Sequence, residues 1–135
     1  RIQEITKKLF VIEKNPRAAS KGDSVEIEPE ARLQEIIPNG DILIITGVTL
    51  VNHTLEHILG LAKNAREIVV VGPTASVYPE PLFKRGVTVM GGVRITNAPK
   101  MIHLIGEAGS GYDFFEKCAE KIVMRNETRF NTKKG

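Results

Sequence analysis

Four polar turns, each placed after an apolar segment, carry the residues of this sequence best suited to bind a ligand. Their members are Glu13 and Asn15; Gly47, Thr49, Asn52 and Thr54; Gly72, Pro73 and Thr74; and Gly91 and Gly92. Glycine lets a ligand approach the backbone, hydroxyl and amide groups orient polar atoms, and a carboxylate at a strand end can bind ribose hydroxyls. Taken singly, these motifs are also ordinary turn and helix-capping chemistry. Because the carboxyl ends of parallel strands share one edge of a sheet, we expect the four turns to form a single site there for a small, anionic or metal-associated ligand.

A second pattern, His53-Thr54-Leu55-Glu56-His57, has the H-x-x-E-H spacing with which some zinc enzymes bind their metal. At about 100° per residue, however, both histidines point away from the apolar stripe centred on Leu55. We therefore expect them on the surface, facing solvent or a partner. Cys118 lies on another apolar stripe, so we expect it in the core. The residues alone identify neither a catalytic group nor a set of metal ligands.

Strands alternate with helices along the chain and would position these turns. The pattern predicts strands at 9–12, 41–46, 67–71 and 87–90, and helices at 29–37, 52–64, 98–108 and 112–121, with a polar loop at 17–23. Asn97 is expected to cap the third helix and Gly109 to end it. Such a rhythm implies βαβ units, hence an α/β fold with a Rossmann-like, doubly wound and mainly parallel sheet flanked by helices.

Composition limits the classes of partner. The 135 residues, 41% hydrophobic and 26% charged, are the size of one domain, which we place at 1–124. The net charge of +3 comes from a basic tail at 125–135, and the chain has no Trp, so we expect no nucleic-acid partner. No apolar run approaches the roughly 20 residues needed to cross a bilayer, so we expect no membrane partner. A single cysteine and no signal-like start favour the cytoplasm.

The start of the sequence also carries information. The chain begins with Arg1 rather than Met, and no glycine-rich turn of the kind that opens a doubly wound sheet is visible. We therefore expect this to be the C-terminal portion of a longer product.

One family shares this set of motifs. The shared residues are Glu13-Lys14-Asn15-Pro16, Thr46-Gly47-x-Thr49 with Asn52 and Thr54, Gly72-Pro73-Thr74, Leu82-Phe83 before Gly86-Val87, and Gly91-Gly92 before Arg94. Through them the chain resembles the Rossmann-like C-terminal domain of a prokaryotic family of unknown function labelled "putative heavy-metal chelation domain". The resemblance implies a role in heavy-metal chelation, a preceding smaller α/β domain similar to the enolase N-terminal fold, and a site between the two domains. His53 and His57 depart from the family pattern and take no role from it.

Two other functions stay open. One is a nucleotide- or S-adenosylmethionine-dependent transferase that uses the same sheet edge. The residues do not identify a cofactor, and both a metal ion and a nucleotide-like ligand stay open. Its glycine-rich first turn would lie upstream of Arg1. The other is a non-catalytic interaction module that forms a homo-oligomer through the sheet edge or through the face with His53 and His57. Whether the chain catalyses a reaction is left open by the residues.

Overall fold

The structure is a computed structural model that describes residues 7–15, 27–115 and 117–128. The strands are β1 (Val11–Glu13), β2 (Ile27–Pro29), β3 (Ile42–Thr46), β4 (Glu67–Val71), β5 (Val89–Ile95) and β6 (Ala119–Arg125). The helices are α1 (Leu33–Ile36), α2 (Val48–Val51), α3 (Leu55–Leu61), α4 (Glu80–Lys84), α5 (Ala98–Gly106) and α6 (Gly111–Phe114). Short 3₁₀ turns lie at Glu30–Arg32, Ile37–Asn39 and Pro73–Ala75. In the described part of the chain, no helix has the length and apolar character needed to cross a membrane.

The strands form two sheets. β1 and β2 pair in parallel, and a separate four-stranded sheet has the order β3-β4-β5-β6. Within it β3, β4 and β5 are parallel, and β6 is antiparallel to β5. The predicted α/β fold with a mainly parallel sheet flanked by helices is therefore confirmed. The prediction of one common edge for all four turns is wrong for Glu13 and Asn15, because β1 is not a strand of the four-stranded sheet among the described residues.

The core lies on one face of the four-stranded sheet. Its members from the sheet and from the helices form one apolar cluster that includes Ile45, Ile68, Val70, Met90, Leu55, Ile58, Leu59, Ala62 and Leu82. The helices α3 and α4, which lie in the connections from β3 to β4 and from β4 to β5, both contribute to this cluster and so pack on the same face of the sheet. Two right-handed crossovers in one direction are expected to place their helices in this way. Alternation along the strands then sends the remaining side chains to the opposite face.

Local chemistry shortens the helix predicted at 52–64. The observed helices α2 and α3 are separated by His53, whose φ of 60° is left-handed and stops the first helix. The side chain of Asn52 accepts hydrogen bonds from the N–H and the hydroxyl of Thr54, a local turn that competes with helix formation. The helix predicted at 29–37 likewise begins later than expected, because Pro29 ends strand β2.

Long-range pairing overturns two predictions near the C-terminus. The strand predicted at 87–90 runs on to Ile95, because Gly91 and Gly92 do not end it but pair with Val123 and Ile122 of β6. The helix predicted at 112–121 is wrong: α6 is one turn long, and the apolar residues that follow it enter β6.

The remaining local predictions concern α5 and two segments. The Asn97 cap is confirmed, since its Oδ1 accepts from the N–H of Lys100 at 3.0 Å. The left-handed residue after α5 is Ala108 rather than Gly109, with φ of 59°. The predicted loop at 17–23 and residues 129–135 of the predicted tail lie outside the described residues.

Candidate functional site

The carboxyl ends of β3 and β4 are held together by their own turns. The N–H of Gly47, the residue after β3, donates to the carbonyl of Val71, the last residue of β4, at 2.7 Å. Two residues further on, the buried hydroxyl of Thr49 donates to the carbonyl of Thr46 at 2.7 Å and fixes the start of α2. The predicted site residues Gly47 and Thr49 therefore stabilise the turn after β3 through hydrogen bonds within the protein.

Gly47 is required because the 3₁₀ turn after β4 packs directly against it. A Cβ at this position would lie 2.6 Å from the backbone nitrogen of Ala75 and 2.7 Å from Oγ1 of Thr74. The 3₁₀ turn itself begins after Gly72, whose φ of 126° is a conformation that side-chain-bearing residues rarely adopt. The second and third predicted motifs thus meet in one compact structure.

The Gly91 and Gly92 motif joins the same structure from β5. The N–H of Gly72 donates to the carbonyl of Gly91 at 2.9 Å. A Cβ on Gly92 would lie 2.8 Å from Oγ of Ser76, and that oxygen accepts from the N–H of Val93 at 2.8 Å. Sequence reasoning did not single out Ser76, although a serine shortly after a Gly-Pro-Thr turn is a usual source of such a bond.

Several polar and apolar groups remain exposed at this edge. Pro73 and Thr74 are exposed on the 3₁₀ turn, and Asn52 is exposed at the end of α2. The oxygen of the Asn52 amide is used by Thr54, at 3.2 Å to its N–H and 2.6 Å to its hydroxyl, which leaves the amide NH₂ as a donor. On α2, Val48 and Val51 expose 51% and 64% of their surface beside these groups. The edge thus offers hydroxyl, amide and apolar contacts.

Among the described residues, the turn with Glu13 and Asn15 follows β1, which is not a strand of the four-stranded sheet. One oxygen of the half-buried Glu13 side chain accepts from the N–H of Asn15 at 3.0 Å and so closes the turn after β1. Because β1 pairs with β2 in the separate sheet, these two residues form a local turn of their own.

The donor groups do not fit a resident metal ion. In ranges 7–15, 27–115 and 117–128, no three His, Cys, Asp or Glu side chains come together as a set that could hold a metal. His53 and His57 are exposed, as predicted. Cys118 is buried, also as predicted, with its sulfur 3.7 Å from the sulfur of Met101. The side chains at the edge are neutral donors, which suit polar ligand groups better than a bare cation.

Shifted pKa values belong to paired surface groups. The Tyr78 hydroxyl donates to the Glu80 carboxylate at 2.9 Å, which raises the pKa of Tyr78. The pKa of Glu80 is lowered by Lys84 and then by Tyr78, and the pKa of Asp113 is lowered by the N–H and hydroxyl of Ser110. None of these groups belongs to the motifs at the edge.

The fold and the edge define a Rossmann-like α/β protein whose candidate ligand site lies at the carboxyl ends of parallel strands. Comparison with protein families identifies it further: the chain belongs to the DUF364 family, described as "Putative heavy-metal chelation", whose profile matches residues 1–124. That description names a function for the family and does not identify a ligand.

One similar protein is described as uncharacterized and two similar structures as proteins of unknown function. It is 32% identical over 120 residues to the uncharacterized protein MJ0500 of Methanocaldococcus jannaschii, covering 88% of this chain and 44% of that protein. A DUF364 protein of unknown function from Pyrococcus horikoshii has a similar structure, with a TM-score of 0.74 and 27% sequence identity. The match covers 91% of this chain and 49% of the P. horikoshii chain. A third, from Desulfitobacterium hafniense, shares the fold with a TM-score of 0.63 at 22% identity, covering 87% of this chain and 52% of its own. The chain therefore spans about half the length of these relatives.

Proposed function

We propose that this chain binds a small ligand with anionic or metal-associated groups at the carboxyl edge of its four-stranded sheet. The observation that carries the proposal is the contact between the turns after β3 and β4, made through Gly47 and Val71. It holds two adjacent strand ends in a fixed arrangement, with the exposed residue Thr74 beside them. Open parallel sheets bind their ligands at such ends.

The exposed groups at this edge would contact the ligand in two ways, through hydrogen bonds and through apolar surface. The hydroxyl of Thr74 and the amide of Asn52 donate hydrogen bonds to ligand oxygens, and Thr54 orients the amide of Asn52. Val48 and Val51 supply apolar surface next to these donors. A binding site commonly combines a few placed polar groups with apolar surface in this way.

The family description is compatible with this site if the metal arrives already bound to a chelating molecule. The described residues offer no set of three charged or sulfur ligands, whereas hydroxyl and amide donors can bind the oxygens of an organic chelator. Heavy-metal chelation would then rest on the bound small molecule rather than on protein ligands of this chain.

Native mass spectrometry of the gently purified protein, set against its denatured mass, tests the proposal. We expect an added mass in the native spectrum, and we expect the double variant Thr74→Ala, Asn52→Ala to lose it. Asn64→Ala is the control, because Asn64 is also exposed but lies before β4, at the opposite end of the strands, where its amide donates to the carbonyl of Pro38. Native and denatured masses that agree, or an adduct that the double variant keeps, would contradict the proposal.

A further inference from the structure

Tyr78 is an exposed aromatic residue that follows the turns of the candidate site. It comes three positions after the 3₁₀ turn Pro73–Ala75, and 72% of its surface is exposed. It is four positions after Thr74, so the two Cα atoms are at most about 14 Å apart. One small ligand and two side chains can bridge such a span. Tyr78 is therefore within reach of a ligand bound at the carboxyl edge of the sheet.

The backbone that leads to Tyr78 is held against the sheet. Ala75 is fully buried, and Oγ of Ser76 accepts a hydrogen bond from the N–H of Val93 in β5 at 2.8 Å. Only Val77 stands between Ser76 and Tyr78. The side chain of Tyr78 therefore starts close to a backbone position that is fixed on β5.

The hydroxyl end of the Tyr78 ring is also held. It donates to the carboxylate of Glu80 at 2.9 Å, and this carboxylate forms an ion pair with Lys84, with Nζ and Oε1 2.7 Å apart. Glu80 and Lys84 are the first and last residues of α4, and Leu82 of that helix packs in the core. A tyrosine side chain has only two rotatable angles, so a bond at its tip and a fixed backbone leave it little freedom.

The ring is not needed to build the core. The apolar cluster of the described residues does not include Tyr78, and most of its ring stays in water. Single exposed apolar residues are common, but this one is part of a group, because Val48, Val51 and Val77 expose 51%, 64% and 43% of their surface around the same turns. α2, which carries Val48 and Val51, contacts the 3₁₀ turn that precedes Tyr78. A group of exposed apolar residues around placed polar groups is typical of a binding surface.

We propose that Tyr78 is a specificity-determining residue that stacks on a flat aromatic ring of the ligand, and that this ligand joins such a ring to an anionic group, as a nucleoside monophosphate does. This role rests on the proposed function, because it leaves the anionic group to Thr74 and Asn52. Tyrosine rings stack on other flat rings through their faces. One ring suits one small molecule, whereas a nucleic-acid strand needs several for its successive bases.

The charges beside Tyr78 favour one orientation of the ligand. The carboxylate bonded to the Tyr78 hydroxyl belongs to Glu80, and a negative charge there repels an anionic group. Lys84 offsets part of this charge. Thr74 and Asn52, by contrast, are uncharged donors. The ring of the ligand therefore lies at Tyr78, and its anionic group lies at Thr74 and Asn52.

Two probes that differ chiefly in the aromatic ring test this role. AMP carries an adenine ring on ribose 5-phosphate, which lacks it. In amide-resolved NMR titrations of the protein, we expect both probes to shift residues 47–54 and 72–76. We expect AMP to bind at least about fivefold more tightly, since stacking of one base on an aromatic side chain changes affinity by roughly 5- to 150-fold. The ring protons of Tyr78 should shift upfield with AMP alone, because a stacked adenine shields them.

Three variants separate stacking from a general loss of apolar surface. Tyr78→Ala should bring the affinity for AMP down to that for ribose 5-phosphate, whereas Tyr78→Phe retains the ring and should retain the preference for AMP. Ile102→Ala is the matched control, because Ile102 is also 72% exposed but lies on α5. It should change the affinity for AMP by less than about twofold. All three changes are at exposed positions, where substitutions usually leave the fold intact.

The possible results distinguish this role from the proposed function. Equal affinities for AMP and ribose 5-phosphate would overturn the role of Tyr78, while the proposed binding edge would stand. A preference for AMP that Tyr78→Ala retains, or that Ile102→Ala weakens just as much, would also overturn it. If neither probe causes saturable shifts, the proposed function fails and the role of Tyr78 fails with it.

Discussion

Replacing Gly47 with alanine probes the contact on which the candidate site depends. Gly47 has φ of −60° and ψ of −18°, values that alanine adopts without cost. Any loss of stability on substitution must therefore come from the contacts of the added methyl group. That group would lie against the 3₁₀ turn that follows β4, at 2.6 Å from the backbone nitrogen of Ala75 and 2.7 Å from Oγ1 of Thr74.

The expected loss of stability depends on how far Thr74 and Ala75 can move away from the added methyl group. Thr74 is an exposed residue, so its side chain can rotate away. The backbone nitrogen of Ala75 can move only if the whole turn shifts, and Ala75 is fully buried. Overpacking of this kind costs about 1–3 kcal/mol, so we expect the free energy of unfolding to fall by about 2 kcal/mol. For a chain of this length that corresponds to a decrease in Tm of roughly 8 °C.

Urea unfolding followed by circular dichroism measures this change, with Gly60→Ala as the control. Gly60 lies in α3, and a Cβ built there meets nothing within 4 Å. Alanine should therefore stabilise the protein there by about 0.5–1 kcal/mol through its higher helix propensity. The two substitutions add the same methyl group and should change stability in opposite directions.

The reasoning would be refuted if Gly47→Ala were as stable as the unmodified protein, or if both substitutions destabilised it equally. The first result would mean that the turns after β3 and β4 do not touch closely. The second would mean that a change at any glycine, rather than this contact, accounts for the loss.

Two further predictions concern the core and the pH dependence of stability. The hydroxyl of Thr88, which is 1% exposed, accepts from the N–H of Ile68 and donates to its carbonyl, so Thr88→Val should lower the free energy of unfolding by about 2 kcal/mol in the same urea assay. A lowered pKa of Asp113, held by the N–H and hydroxyl of Ser110, stabilises the folded state above the ordinary value of 3.8 and loses this effect as the pH falls through the lowered value. The difference in Tm between the unmodified protein and Asp113→Asn should therefore be present at pH 7 and shrink below pH 3.8, and a difference independent of pH would contradict it.

Features that depend on local sequence could be predicted. The strand at 67–71 and the Asn97 cap are in place because apolar runs and capping side chains act over a few residues. Cys118 is buried as predicted, but the helical stripe from which this was inferred does not form, because α6 ends at Phe114. The mainly parallel sheet followed from the alternation of strands and helices.

Features that depend on residues distant in the sequence could not be predicted. The residues of β6 have a spacing compatible with a helix, and only pairing with β5 makes them a strand. Gly91 and Gly92 look like a strand end in sequence but pair with the same partner. The separation of Glu13 from the other site residues depends on which strands pair, which no local pattern specifies.

The site motifs illustrate the same limit. Gly47 and Gly92 are predicted as ligand-binding residues, and Gly91-Gly92 also as a point where another part of the backbone approaches closely. In the structure Gly47 lies against the backbone of Ala75 and Gly92 against the side chain of Ser76. The sequence indicates correctly that a close approach occurs at these glycines but not what approaches. The groups left for a ligand are the exposed side chains around them, chiefly Thr74 and Asn52.

An amide-resolved NMR titration of the protein with adenosine monophosphate, and separately with inorganic phosphate, tests the proposed binding edge most directly. We expect saturable shifts concentrated in residues 47–54 and 72–76, which are lost in the Thr74→Ala, Asn52→Ala variant. The absence of saturable shifts with both probes, or shifts confined to the basic residues at 125–135, would contradict the proposal that this edge binds a small anionic ligand.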